Sequence, residues 1–173
     1  YCLRGWTYKE IGETELAIAD YTKAIRLDPD DVYPYMCRRE LHATRGDHDK
    51  AIADSSIIIR LQPGDSIAYN ERGNSHVCKG DYEKAIADFG KAIHLDPDSV
   101  APYYTRGRVL YVQLPHHDSA LLDLTKTFQL QPGTINAHAA RALSYLAIGY
   151  EDLPLPAHIQ AVQLSTRDTF PSF

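Results

Sequence analysis

Between Ser66 and Ser99 the chain carries two apolar stripes separated by short polar breaks. Tyr69, Arg72, Gly73 and His76 fall at steps of three and four; Gly80 and Asp81 interrupt them. Ala85, Phe89, Ala92 and Ile93 then resume the spacing until Asp96 and Pro97. Such steps line one side of a helix, so the segment predicts two amphipathic helices, A and B, joined by a tight turn. The pattern recurs every 34 residues: Ala17, Ala51 and Ala85 keep step, as do Pro29, Pro63 and Pro97, with Ala120 and Pro132 one residue late. A fixed period in this range means one helix pair stacked many times, each pair burying the face its neighbour leaves open. The predicted fold is therefore an all-α solenoid. Its repeats span 1–31, 32–65, 66–99, 100–134 and a degenerate 135–164, followed by an irregular tail over 165–173.

The punctuation has physical causes. Gly12, Gly46, Gly80 and Gly149 stand just past helix A, where a positive φ closes a helix at little cost. Glu13, Asp47 and Asp81 follow, placed to cap helix B or suit its dipole. The prolines push the residue before them out of helical geometry. Gly5, Gly73 and Gly107 are expected to face the small Ala17, Ala85 and Ala120 where the two helices cross. Repeat two departs from this with Arg39 at the glycine phase and Ile58 at the phase of Ala24 and Ala92, so its helices are expected to pack further apart. Repeat four has one extra residue near Leu114–Asp118, which predicts a longer turn. In the fifth repeat Pro154 and Pro156 delay helix B, and no polar capping helix follows Leu164.

A charged column accompanies the apolar one. Arg4, Arg38, Arg72 and Arg106 are 34 apart, Arg141 follows after 35, and Asp20, Asp54, Asp88 and Asp123 recur on helix B at one phase. This reads as a ladder of ion pairs holding the repeats together. Two wirings fit: within a repeat, as Arg4 with Asp20, or between repeats, as Asp20 with Arg38.

These residues resemble the tetratricopeptide repeat family, whose pattern is aromatic-x2-Leu-Gly-x2-Tyr, then Ala-x3-Phe, then Pro. Repeat three reads Tyr69, Arg72-Gly73, His76, Ala85, Phe89, Pro97, and repeat one reads Arg4-Gly5, Tyr8, Ala17, Tyr21, Pro29. The arginine column replaces the family's leucine. The resemblance implies a right-handed superhelix whose A helices line a concave groove for peptides. Carried over by phase, that partner-binding groove comprises Trp6, Tyr33, Met36, Glu40, Asn70, Asn74, Tyr104, Arg108 and Tyr111. Cys2, Cys37, Ile67, Glu71, Asn136 and Leu143 stand beside them. Trp, Tyr and Arg dominate binding hot spots, and Met adapts to varied ligands. The implied activity is non-enzymatic: a scaffold or adaptor that takes a protein or peptide partner. The family's chaperone-binding members grip a terminal carboxylate with Lys, Asn and Arg at set groove phases. Only Asn74 fits here, so that subclass is not expected.

Composition narrows the alternatives. With 18 basic and 23 acidic residues, net charge -5, the chain lacks the basic excess that nonspecific nucleic-acid binding needs. No apolar run is long enough to span a membrane. Three cysteines make no disulfide framework; an odd count points to reduced thiols and a reducing compartment such as the cytoplasm. His116, His117 and Asp118 are read as a solvated turn, not a metal site, and His42 and His76 as packing substitutes for tyrosine. No catalytic residue, metal or cofactor is expected. Because the chain starts inside a repeat and shows no cap, it reads as a slice of a longer protein. Self-association through the uncapped C-terminal end, or service as a regulatory arm of a larger enzyme, remain alternatives.

Overall fold

In a computed structural model, residues 1–114 and 116–132 are described, and they hold helices and turns with no strand among them. The helices are α1 (Cys2–Glu10), α2 (Thr14–Leu27), α3 (Val32–Thr44), α4 (His48–Leu61), α5 (Ser66–Lys79), α6 (Tyr82–Leu95), α7 (Val100–Val112) and α8 (His117–Leu130). The chain divides into two compact units, Tyr1–Leu95 and a second that begins at Asp96. The first unit holds three helix pairs, in which each helix packs on the next in sequence. In the second, α7 packs on α8. The period thus builds an all-α repeat solenoid, as predicted. The fifth repeat and the tail lie outside the described residues.

Gly12, Gly46 and Gly80 take φ of 80°, 78° and 80°, the left-handed geometry expected after helix A. Gly149 lies outside the described residues. The acids that follow behave differently from expectation. Glu13 and Asp47 occupy the N-cap positions of α2 and α4, yet neither side chain accepts a capping bond. Their ψ angles, 65° and 57°, fall short of the extended geometry a capping side chain needs. Asp47 and Asp81 turn instead to Lys50 and Lys84, at 3.1 Å each. Capping occurs instead at the start of two A helices, α3 and α5. Asp31 accepts from the Tyr33 amide at 3.0 Å and Asp65 from the Ala68 amide at 3.0 Å, with ψ of 114° and 96°.

The contact made by the helix-A glycines also differs. A Cβ on Gly5 would lie 3.0 Å from the Tyr21 ring, on Gly73 2.7 Å from the Phe89 ring, and on Gly107 2.8 Å from Leu124. The glycines face a bulky residue one turn beyond the alanines, making room for a side chain that is fully buried each time. Repeat two inverts the arrangement, with Arg39 at the glycine phase and Ser55, fully buried, at the bulky phase. Ile58 is fully buried as well, in a cluster with Tyr35 of α3 and Ala68 of α5. Its extra bulk serves the contact with the next repeat.

The ladder runs within repeats. Arg4 donates to both oxygens of Asp20 at 2.5 and 2.7 Å, Arg38 to Asp54 at 3.0 and 2.6 Å, and Arg72 to Asp88 at 2.8 and 2.7 Å. Arg106 does the same with Asp123 at 2.7 and 2.8 Å. The remaining nitrogen reaches back one repeat: Nη1 of Arg38 donates to the Thr22 hydroxyl at 3.0 Å and that of Arg72 to Ser56 at 3.1 Å. One guanidinium therefore clamps its own hairpin with a planar fork and ties it to the preceding one, a geometry lysine cannot supply. The fork holds the Asp20 carboxyl below the usual range and raises Arg72 and Arg106. Arg38 and Arg72 also lie over the rings of Tyr35 and Tyr69, at 5.8 and 5.6 Å.

Candidate functional site: the helix-A face

In the first unit one ion pair sets the register of the A helices. Lys9 on α1 donates to both oxygens of Glu40 on α3, at 2.7 Å each. A residue of α1 thus lies beside the residue 31 further on, in α3. The same register sets Cys2 beside Tyr33 and Trp6 beside Cys37. In keeping with that, the Cys37 thiol pushes the Tyr33 phenol above its ordinary range, with smaller contributions from burial and Cys2. Burial and then Asp31 raise the Cys2 thiol.

The expected groove residues divide by what they do in this frame. Trp6 and Tyr33 are about half exposed, at 51% and 47%, and Ile67 is 58% exposed. These are large apolar surfaces facing water on one side of the unit. Met36 is half buried and packs against the Tyr35–Ile58–Ala68 cluster. Glu40 is exposed but neutralised by Lys9. Asn70 is 9% exposed, with its Nδ2 on Glu71 at 3.2 Å and its Oδ1 lacking a donor. Asn74 is half buried and its Nδ2 sits 3.5 Å from the same Glu71 oxygen. Trp6 and Tyr33 are thus presented, whereas Met36 and Asn70 belong largely to the wall behind them.

In the second unit Arg108 is exposed and lies over the Tyr104 ring at 5.5 Å, a cation held on an aromatic face. Tyr111 is half buried and engaged in a contact of its own. Asn136 and Leu143 lie outside the described residues. His116 is exposed in the turn between α7 and α8, and among the described residues no group of three or more His, Cys, Asp or Glu side chains could hold a metal ion. No helix among them is long and apolar enough to cross a membrane. His42 and His76 are buried, as packing substitutes should be, and each also faces its turn aspartate, at 3.7 and 3.4 Å. Sequence reasoning had no signal for that polar half of their role. Burial, helped by Arg38 and Lys50, holds the His42 imidazole below its ordinary range against the opposing pull of Asp54 and Asp47.

Antiparallel helix pairs repeated at a fixed period, with side chains displayed along the A helices, define a helical-repeat protein. The family model of the tetratricopeptide repeat matches residues 1–31, and the model of the TPR repeat matches residues 73–113. The two matched segments are tetratricopeptide repeats. No curated protein matches the chain. Among solved structures, it resembles MamA at a TM-score of 0.83 and 24% identity, over 95% of this chain and 96% of that one. YrrB, described as a TPR protein with an unusual peptide-binding site, superposes at a TM-score of 0.74 with 18% identity, over 98% and 87% of the two chains. The thermophilic TPR protein TTC0263 of Thermus thermophilus does so at 0.72 with 20% identity, over 97% and 91%. At these identities the likeness speaks for the fold.

Proposed function

We propose that the chain is a non-enzymatic interaction scaffold whose A helices hold a peptide segment of a partner protein. The observation that carries this reading is the exposure of Trp6, Tyr33 and Ile67, one on each of the three successive A helices of one unit. Their types match those that dominate binding energy in other interfaces. The peptide-binding site named for YrrB, which shares the fold, gives the reading independent support. Trp6, Tyr33 and Met36 supply apolar contact. Within the first unit Asn74 offers an amide to a peptide backbone; the second unit, taken by itself, presents Arg108, propped on Tyr104, as a charge for an acidic side chain.

Affinity capture with the intact chain, followed by competition with an Asn74→Ala/Arg108→Ala variant, tests it. A captured partner should bind that variant at least about tenfold more weakly, the scale of one lost charged hydrogen bond, while melting is unchanged. Wild-type affinity in the variant removes the assignment. Trp6→Ala/Tyr33→Ala should weaken the same partner.

A further inference from the structure

Among the described residues, Glu71 is a carboxylate without a cation. It is half buried on α5, and its Oε1 accepts from Nδ2 of Asn70 at 3.2 Å and of Asn74 at 3.5 Å. Among the described residues Glu71 forms no ion pair. Two neutral amides therefore position the charge and leave it uncompensated. Asn70 lies behind the carboxylate: the residue is 9% exposed, and among the described residues its buried Oδ1 has no donor. Because the Nδ2 of that same amide already sits on Glu71, the orphaned oxygen lies within one amide group of the carboxylate.

The preceding repeat satisfies the same kind of carboxylate internally, through Lys9 on Glu40. One period after Lys9 stands Ala43, and one period after Glu40 stands Asn74. The chain thus supplies its own lysine between α1 and α3 and omits it between α3 and α5. The Lys9–Glu40 register, carried one repeat on, sets Glu71 beside Glu40, whose own cation, Lys9, lies on α1. Arg39 does not fill the gap: it makes no ion pair among the described residues, and its Nη1 is buried without a partner.

We infer that this face recognises a basic side chain, and that the partner segment carries a Lys or Arg that docks on Glu71 beside the apolar surface of Trp6, Tyr33 and Ile67. An ammonium or guanidinium brings donors and a compensating charge to the Glu71 carboxylate, and complementary charge gives such a site its selectivity. This rests on the groove reading above and names the class of its ligand.

The test uses the full chain and pools of short fluorescein-labelled peptides, alike except for one fixed central residue: Lys, Arg, Gln, Asp or Glu. The Lys and Arg pools should bind about tenfold tighter than the Gln pool, the Asp and Glu pools more weakly still. Glu71→Gln should erase that preference at unchanged melting, and Glu71→Lys should turn it toward the acidic pools. A basic preference that survives Glu71→Gln, or a preference for the acidic pools in the wild type, overturns the inference. If Trp6→Ala/Tyr33→Ala weakens every pool yet none is preferred, only the basic ligand falls. If no pool binds, or that variant changes nothing, the groove reading falls and takes this one with it.

Discussion

The hairpins α3/α4 and α5/α6 solve one packing problem in opposite ways. In α5/α6 the A helix contributes nothing, Gly73, and the B helix contributes a full ring, Phe89. In α3/α4 the A helix contributes a long side chain, Arg39, and the B helix a small one, Ser55. What the fold requires at this crossing is a filled volume, from whichever side. The apolar solution is the cleaner one. In the polar version Nη1 of Arg39 and Oγ of Ser55 are both buried with no hydrogen-bond partner, which costs stability unless water reaches them.

The largest effect should come from emptying the apolar version. Phe89→Ser is expected to cost about 3–5 kcal/mol, as for other fully buried aromatic truncations, read from urea unfolding. Adding Gly73→Arg should recover at least about 1 kcal/mol of that, because the pair then imitates α3/α4. Strict additivity would show that the two hairpins are not interchangeable.

Next comes the ladder. Asp88→Ala strands Arg72, whose side chain is 23% exposed, and should cost about 3 kcal/mol with no change in groove affinity. Asp20→Ala strands Arg4, which is 59% exposed, and should cost clearly less. Unchanged melting with weakened binding in Asp88→Ala would recast the column as a ligand site.

Converting α3/α4 to the apolar solution should help. Arg39→Gly/Ser55→Phe removes two orphaned polar atoms and is expected to stabilise by about 1–2 kcal/mol, visible as a higher urea midpoint. A loss would show that Arg39 has a partner of its own in solution.

The smallest effect is one of pH. The folded His42 imidazole is depressed below its ordinary 6.5. The unfolded chain therefore binds the extra proton first, and stability falls as pH drops from about 6.5 through the folded value. Asp20, Asp47 and Asp81 are depressed below 3.8, so their contribution, present above that pH, is lost only in stronger acid. His42→Tyr, which copies Tyr8, should abolish the first step and keep the second. If the first step persists, another group carries it.

The fold was legible because a repeat states its pattern several times over: the phases of glycine, alanine and proline located the turns and helices. What one chain could not reveal was which partner each phase meets. The spacing of Gly73 is compatible with Ala85 and with Phe89, and only the tilt of the helix pair selects the ring. The ladder's wiring was undecided for the same reason, and both halves proved informative, with aspartate taken from within the repeat and a hydroxyl from the repeat before. At the candidate site, Trp6 and Tyr33 were named by their phase in the resembled repeat, and both are about half exposed. Glu71 stood out less, because a sequence does not say which carboxylates find a cation.

Among the described hairpins the α7/α8 turn spans four residues, 113–116, where α1/α2 uses three, 11–13. Yet the arginine fork of Arg106 on Asp123 closes at 2.7 and 2.8 Å, within the 2.5–3.0 Å span of its counterparts. The longer connection leaves the fork between the two helices intact. This hairpin therefore tolerates lengthening at its tip, and a tag or sensor loop inserted after Leu114 would extend the molecule without retuning its interior.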